Sequence, residues 1–138
     1  MESLDALGPA EEELRAFAAA HVAPHAARID AEERIPAEVI AELAKRGMFA
    51  SGFPSKLGGA DDTDPVGASL RHGLMHEALG HASASVQGLV NVHHMAGSAI
   101  ARWGSRAQKE EWVPKLTSGK GIPTTGARPI TIIRLTVK

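Results

Sequence analysis

The chain has 138 residues, no cysteine and a formal net charge of −1, which corresponds to one domain with a core of its own. The balanced charge argues against nucleic-acid or anionic-membrane partners, and the absence of cysteine excludes a disulfide framework or a thiolate nucleophile. No apolar run is long enough to span a bilayer and no N-terminal segment resembles a signal peptide, so a soluble, cytoplasmic protein is expected.

Two helices are predicted in the first third of the chain. Pro9 suits the first turn of a helix, and the glutamates at 11–13 favour its positively polarised end. Pro24 lacks a backbone donor, so we expect this helix to bend near Ala20. A second helix is predicted from Pro36. It should bury Val39, Ile40, Leu43, Ala44 and Met48.

A loop and a third helix follow. Residues 52–64 are rich in Gly, Pro, Ser and Asp and have no apolar period, which predicts a loop. Asp64 as N-cap and Pro65 at the first helical position then predict a helix start. One apolar stripe is expected on this helix, formed by Leu70, Leu74, Ala78 and His81.

The most apolar predicted helix runs over residues 86–103. Its apolar positions, 86, 89, 90, 92, 95, 96, 99, 100 and 103, nearly encircle a helix, which predicts burial on all sides. Gly104 is expected to end it with positive φ, and Ser105 with Gln108 forms a capping-box pattern that opens the next helix. Four or five helices joined by short turns predict an all-α fold, a small up-and-down helical bundle.

The motifs around this helix resemble those of the acyl-CoA dehydrogenases. The sequence reads V-x-V-H-H and G-S-A-I, then W-G-S-x-x-Q-K-E-x-W-V-P-K-L-x-S-G, which is similar to the signature that ends the N-terminal helical domain of that family. Segments 17–30, 35–47 and 53–59 match in the same order. The resemblance covers roughly residues 9 to 120, and it implies an N-terminal domain over 1–120.

The resemblance implies a flavin-dependent oxidoreductase that forms an α,β-double bond in an acyl thioester of coenzyme A or an acyl carrier protein. FAD is the implied cofactor, because the protein alone has no hydride acceptor. The family's catalytic base is a glutamate of the C-terminal domain, and most FAD contacts come from later domains. We therefore expect no catalytic residue in this chain, weak or absent FAD binding by the chain alone, and a homo-oligomeric full-length parent. The alternative is a non-enzymatic helical interaction or regulatory module.

Gln87, Asn91 and Met95 are the expected substrate-binding residues. They lie at i, i+4 and i+8, so they follow one line along the helix surface. In the dehydrogenases that this sequence resembles, the matching face lines the far end of the acyl pocket. The alternative is that the two amides only hydrogen-bond a neighbouring helix.

Seven histidines raise the question of a metal site. His72 and His76 share a helix face, but no cysteine and no well-placed third ligand follows in the sequence. His76 and His81 are one residue too far apart for the zinc-protease H-E-x-x-H pattern. No metal is therefore expected. His93 and His94 point in divergent directions, and at least one is expected to be buried or at an interface.

Residues 121–138 differ in composition from the rest of the chain. They hold four isoleucines, three basic residues and no acidic residue, and 130–137 could form one strand. The T-E-P and G-S-D loop expected from the family is absent. We interpret this tail as the product of truncation, a frameshift or added expression sequence, with a native short paralogue as the alternative, and we expect it to contribute little to stability.

Overall fold

The structure is a computed structural model that describes residues 7–59 and 65–120. Those residues form six α-helical segments and no strand. The segments are α1 (Leu7–His21), α2 (Ala26–Glu32), α3 (Ala37–Lys45), α4 (Pro65–Ala82), α5 (Ala84–Trp103) and α6 (Arg106–Thr117). When α1 and α2 are counted as one bent helix, five remain, which confirms the predicted all-α bundle.

Helices that are neighbours in space are not always neighbours in the sequence. The first helix α1 packs against α4, which lies beside α5, and α5 in turn contacts α6. The main core lies between these layers and includes the aromatic ring of Phe49, which is fully buried. It is otherwise built from aliphatic side chains of α2, α3, α4 and α5 and of two residues outside the helices: Val22, Ile29, Val39, Ile40, Leu43, Met48, Met75, Leu79, Val86 and Val90. All but Met48 and Val22 lie within helices, so the apolar faces of the helices account for most of the core.

A second, smaller core joins the loop after α3 to the last two helices. Phe53 from this loop packs with Ile100 of α5 and Val113 of α6. Phe53 is only 3% exposed, although it lies in a segment without regular apolar spacing. Phe53 therefore anchors the later part of this loop to α5 and α6, with Leu57 packed against the same core.

The first helix is interrupted close to the predicted position. The α-helical hydrogen bonding continues to Val22, whose N–H donates to Ala18 O, and a short 3₁₀ turn covers Ala23–His25. Pro24 lies within this turn and cannot donate to Ala20 O, so α1 ends at His21, close to the bend predicted near Ala20. In α3, the helix predicted to start at Pro36, this proline is the N-cap and the first helical residue is Ala37.

The predicted inward stripe of α4 is partly wrong. Ala78 is buried, but Leu70 is 40% exposed and His81 is exposed. The fully packed positions are instead Met75 and Leu79, because α4 is covered by α1 on one side and α5 on another. Two packing partners select a different face from the one that a single apolar stripe suggests.

The prediction that α5 is buried on all sides is also wrong. Its buried residues are Val86, Val90, His93, His94, Gly97 and Ile100. Val92, Met95 and Trp103 are 46%, 64% and 72% exposed. These three define an apolar row on the open side of α5, and their spacing of three and eight residues keeps them near one helix face. Both histidines of the 93–94 pair are buried, as expected for at least one.

The two ends of α5 show how the bundle turns. At the start, Ser83 is the one residue between α4 and α5, and its hydroxyl accepts a hydrogen bond from Val86 N at 3.4 Å. At the end, Gly104 has φ −63°, so the predicted positive φ is wrong. A Cβ at Gly104 would lie 2.5 Å from Ile100 O, so the turn requires the absence of a side chain.

The capping box at the start of α6 is confirmed. Gln108 N donates to Ser105 Oγ at 3.3 Å, and Ser105 N donates to Gln108 Oε1 at 2.8 Å. These paired hydrogen bonds satisfy two donors that a helix start otherwise leaves open.

Some sequence predictions fall outside the described residues. These are the N-cap role of Asp64 and the strand and origin proposed for 121–138. Within the described ranges, no helix is long and apolar enough to cross a membrane.

Candidate functional site

The three expected substrate-binding residues run from a helix contact to the open surface. Gln87 is half-buried, and its amide nitrogen lies 3.2 Å from Nδ1 of His76 on α4. Asn91 is exposed, and its amide contacts the sulfur of Met95 at 3.8 Å. Gln87 therefore meets a neighbouring helix, whereas Asn91 has its contact within α5.

Two surface clefts lie away from this line. One, of about 410 Å³, includes Asp30, Glu33 and Arg34. The other, of about 490 Å³, includes Glu11 and Glu77. Neither cleft is lined by Gln87, Asn91 or Met95.

A chain of polar side chains lies at the inner end of the line, between the loop after α3 and helices α4 and α5. Ser51 Oγ lies 3.3 Å from His72 Nδ1, and His72 Nε2 lies 3.1 Å from His76 Nε2. The other ring nitrogen of His76 meets Gln87. The i, i+4 spacing on α4 brings the two imidazoles together, as the sequence indicated.

His94 of α5 completes this group, which we call the histidine cluster: His72, His76 and His94. Its ring centroid lies 4.8 Å from that of His72 and 5.7 Å from that of His76. His94 Nε2 lies 2.9 Å from Met48 O, and its Nδ1 is buried without a hydrogen-bond partner. One available nitrogen from each of the three imidazoles lies within 4.8 Å of the others.

The environment favours the neutral form of these histidines. Burial lowers the pKa of His72 and of His76 from the ordinary value of 6.5, and the neighbouring His72 lowers that of His76 further. Burial, followed by the nearby His72 and His93, lowers the pKa of His94 to about 4. Burial likewise lowers the pKa of His93, opposed by a hydrogen bond to the backbone of Leu116. Neutral imidazoles retain a lone pair for hydrogen bonding or metal ligation.

Sequence reasoning found the pair on α4 but missed the third histidine. His94 lies on another helix, and only the packing of α4 against α5 brings it to His72 and His76. From the sequence we expected no well-placed third ligand after His72 and His76, whereas the structure places the His94 imidazole beside them. The sequence did offer one indication: adjacent histidines at 93 and 94 on an apolar helix, of which at least one was expected to be buried or at an interface.

Neither of the two surface clefts has the lining that FAD requires. A dinucleotide pyrophosphate needs clustered N–H donors or cations. One cleft has a single cation, Arg34, beside the carboxylates of Asp30 and Glu33, and the other has the carboxylates of Glu11 and Glu77. No step through the flavin follows from these side chains.

Residues 10–120 match the family described as acyl-CoA dehydrogenase, N-terminal domain. Since this match covers most of the chain and agrees with its all-α fold, the chain belongs to the acyl-CoA dehydrogenase family as its N-terminal domain. The predicted resemblance over 9 to 120 is confirmed within one residue at the start. Several relatives are named as acyl-CoA dehydrogenases, which places the chain in a family of oxidoreductases.

Several characterised proteins resemble the chain over most of its length. It is 34% identical over 114 residues to (2S)-methylsuccinyl-CoA dehydrogenase of Cereibacter sphaeroides, covering 82% of this chain and 20% of the relative. It is 30% identical over 105 residues to acryloyl-CoA reductase (NADH) of Anaerotignum propionicum, covering 76% and 25%. It is 31% identical over 109 residues to the mitochondrial short-chain specific acyl-CoA dehydrogenase of Homo sapiens, covering 78% and 25%. The chain thus spans a quarter or less of these relatives.

Proposed function

We propose that this chain is the N-terminal portion of a flavin-dependent dehydrogenase that introduces an α,β-double bond into an acyl thioester. The observation that carries the proposal is the family match over residues 10–120. The open apolar row on α5, Val92, Met95 and Trp103, supports it, because exposed apolar surface of this kind is suited to covering by a ligand or another domain.

The chemistry assigns a supporting role to this segment. The reaction needs a base for the α-proton and FAD, which accepts the β-hydride, and in the family both belong chiefly to other domains. This helical bundle would then shape the acyl pocket and the contacts between domains. The 138-residue chain alone should bind FAD weakly or not at all, and stoichiometric flavin in the purified protein would contradict this.

The acyl group is proposed to meet the line formed by Gln87, Asn91 and Met95. Gln87, paired with His76, would fix the inner end, while Asn91 and Met95 would present an amide and a thioether. A polar side chain at Asn91 favours a short or oxygenated acyl group over a long fatty chain, since an unpaired buried amide costs about 1–3 kcal/mol. The names of the relatives, which specify acryloyl, methylsuccinyl and short-chain acyl groups, support this preference.

An acyl-length experiment tests the pocket. Residues 10–120 would replace the matching segment of the human short-chain relative, and kcat/KM would be measured for straight-chain acyl-CoA substrates of increasing length. Asn91→Leu should change the ratio between short and long substrates by about tenfold, the discrimination that one or two methylenes provide in an apolar pocket. Asn91→Ala enlarges the proposed pocket, so it should raise kcat/KM for long substrates relative to short ones.

The controls separate the pocket from a structural role. Ser85→Leu changes an exposed position of α5 about 120° around the helix from Asn91, so it should leave the preference unchanged. Flavin content and thermal stability would be measured for every variant. Unchanged acyl preference with lowered stability at Asn91 would contradict the pocket and leave only a structural role.

A non-enzymatic helical module is the second candidate, and the same apolar row on α5 favours it. Such a module would use Val92, Met95 and Trp103 to bind a protein partner, for example a full-length dehydrogenase whose oligomer it joins. Flavin absorbance of the natural full-length product supports the enzyme, and its absence supports the module.

Competition between acyl-CoA and acyl carrier protein substrates would identify the thioester carrier.

A further inference from the structure

The histidine cluster has the donor set of a transition-metal site. His72 and His76 come from successive turns of α4, and His94 comes from α5. One nitrogen of each lies within 4.8 Å of the others. Three imidazoles with an open fourth position are a known arrangement for zinc, and imidazole also suits copper and nickel.

The hydrogen bonding of His94 leaves one nitrogen available. Met48 O can only accept, so Nε2 of His94 carries the proton and donates across 2.9 Å. Nδ1 is then a bare lone pair, and it is buried without a partner in a side chain that is 5% exposed. Donation from the second ring nitrogen to a backbone carbonyl is the usual way in which a metal-binding histidine is oriented.

The other two imidazoles have partners on the side away from each other. Ser51 Oγ lies beside Nδ1 of His72, and the Gln87 amide lies beside Nδ1 of His76. Their Nε2 atoms therefore face one another at 3.1 Å. Two nitrogens bound to tetrahedral Zn²⁺ at about 2.0–2.1 Å are about 3.3–3.4 Å apart, so this pair is already close to the separation that a metal requires.

In the metal-free state a proton occupies the space between His72 and His76. The Gln87 amide donates to His76 Nδ1 as oriented, which leaves His76 Nε2 protonated and donating to His72 Nε2. Rotation of the Gln87 amide by half a turn would present its oxygen to Nδ1, and the proton would move to that nitrogen. Both Nε2 lone pairs would then be available, beside the ring of His94 whose Nδ1 is buried without a partner.

We propose that His72 Nε2, His76 Nε2 and His94 Nδ1 bind one divalent transition-metal ion, with Zn²⁺ as the best match and water at the fourth position. The ion would fasten α4 to α5 and, through Met48 and Ser51, to the turn after α3. Metal binding at this site requires neither the acyl group nor the flavin, although Gln87 belongs both to the proposed acyl-binding line and to the hydrogen bond that orients His76. The ion would have a structural role, and its removal should weaken the packing between these elements.

Metal titration of the 138-residue chain tests the proposal. Protein treated with EDTA and dialysed would be titrated with ZnCl₂ by calorimetry and with CoCl₂ by visible absorption. One ion per chain is expected, with the absorption of tetrahedral Co²⁺ and a melting temperature that rises with Zn²⁺ concentration. His72→Gln and His76→Gln should each weaken binding by about 100-fold or more, and Gln87→Ala by about 10-fold to 100-fold.

Two histidine variants serve as matched controls. His81→Ala removes an exposed histidine of α4, and His25→Ala removes one member of the other pair spaced by four residues, His21 and His25. Both should keep wild-type affinity and stoichiometry. Circular dichroism in EDTA would establish that each variant is folded, and pulsed EPR of the Cu²⁺ form should count three coupled imidazoles in the wild type without any substitution.

The outcomes separate cleanly. One ion bound by the wild type, lost in the α4 ligand variants and kept in both controls, supports the site. Three results would overturn it: no Zn²⁺ binding tighter than that of the double variant His72→Gln/His76→Gln, equal loss in His81→Ala or His25→Ala, or fewer than three imidazoles by EPR. The three side chains would then form a hydrogen-bonded imidazole group only.

Discussion

Gly97 lies where α5 passes closest to the loop after α3. A Cβ built at this position would lie 2.3 Å from Cζ of Phe53, a distance that packed atoms cannot maintain. The ring of Phe53 is almost fully buried between α5 and α6, so it has little room to retreat. One hydrogen in place of a methyl group thus allows the smaller core to close.

At the residue scale we predict that Gly97→Ala destabilises the protein. Overpacking at such a site costs about 1–3 kcal/mol, which exceeds the gain of up to about 1 kcal/mol from the better helix propensity of alanine. The free energy of unfolding in urea measures the balance. Gly88→Ala is the matched control, because nothing lies within 4 Å of its added Cβ, and it should stabilise the protein. Equal effects of the two substitutions would contradict the close contact with Phe53.

At the scale of elements, the junction between α5 and α6 is fixed by short-range interactions. Gly104 admits the close approach of the Ile100 carbonyl, and the capping box of Ser105 and Gln108 begins the next helix at once. Both features act within one helical turn. Beyond this two-residue junction, Val113 of α6 packs in the same core as Phe53 and Ile100.

Ser105→Ala should therefore destabilise the protein by about 1 kcal/mol, since it removes the acceptor for Gln108 N. Thermal melts with calorimetry measure the change. Ser98→Ala is the control, because Ser98 is an exposed mid-helix residue of α5 where alanine has the higher helix propensity. A loss of stability at Ser98 as large as that at Ser105 would be inconsistent with a capping role.

At the scale of the whole molecule, buried histidines link the bundle to pH. His94 faces His72 and His76 on α4, and it neighbours His93 on its own helix. Burial is the first cause of the lowered pKa in all four, so folding favours their neutral forms. Below pH 6.5 the unfolded chain binds more protons than the native one, so stability rises with pH in this range.

In EDTA, the free energy of unfolding should be fully retained above about pH 6.5. It should fall as the pH decreases toward the pKa of His94, which is about 4. Urea unfolding at a series of pH values measures the slope. His81→Ala should keep the wild-type slope, because His81 is exposed, whereas His94→Gln should flatten it. A stability that is constant from pH 7 to about 4.5 would show that these histidines titrate alike in both states.

The sequence by itself determined the features that depend on neighbours within a few turns. Apolar spacing gave the number and type of helices, prolines marked the bend and the start of α3, and the pattern from Ser105 to Gln108 located the capping box. The ordered motifs also identified the family, because residues 10–120 retain its spacing. The physical reason is that helix periodicity, capping and the missing N–H of proline act through local hydrogen bonds.

Only the tertiary structure decided which residues meet across helices. Met48 O and His94 are 46 positions apart, and Ser51 and His72 are 21 apart, yet both pairs are in hydrogen-bonding contact. The burial of Phe53 and the exposure of Met95 likewise depend on which neighbours pack beside them. No local pattern encodes such contacts, because the docking of α4 against α5 selects one pairing of faces among several that have similar apolar surface.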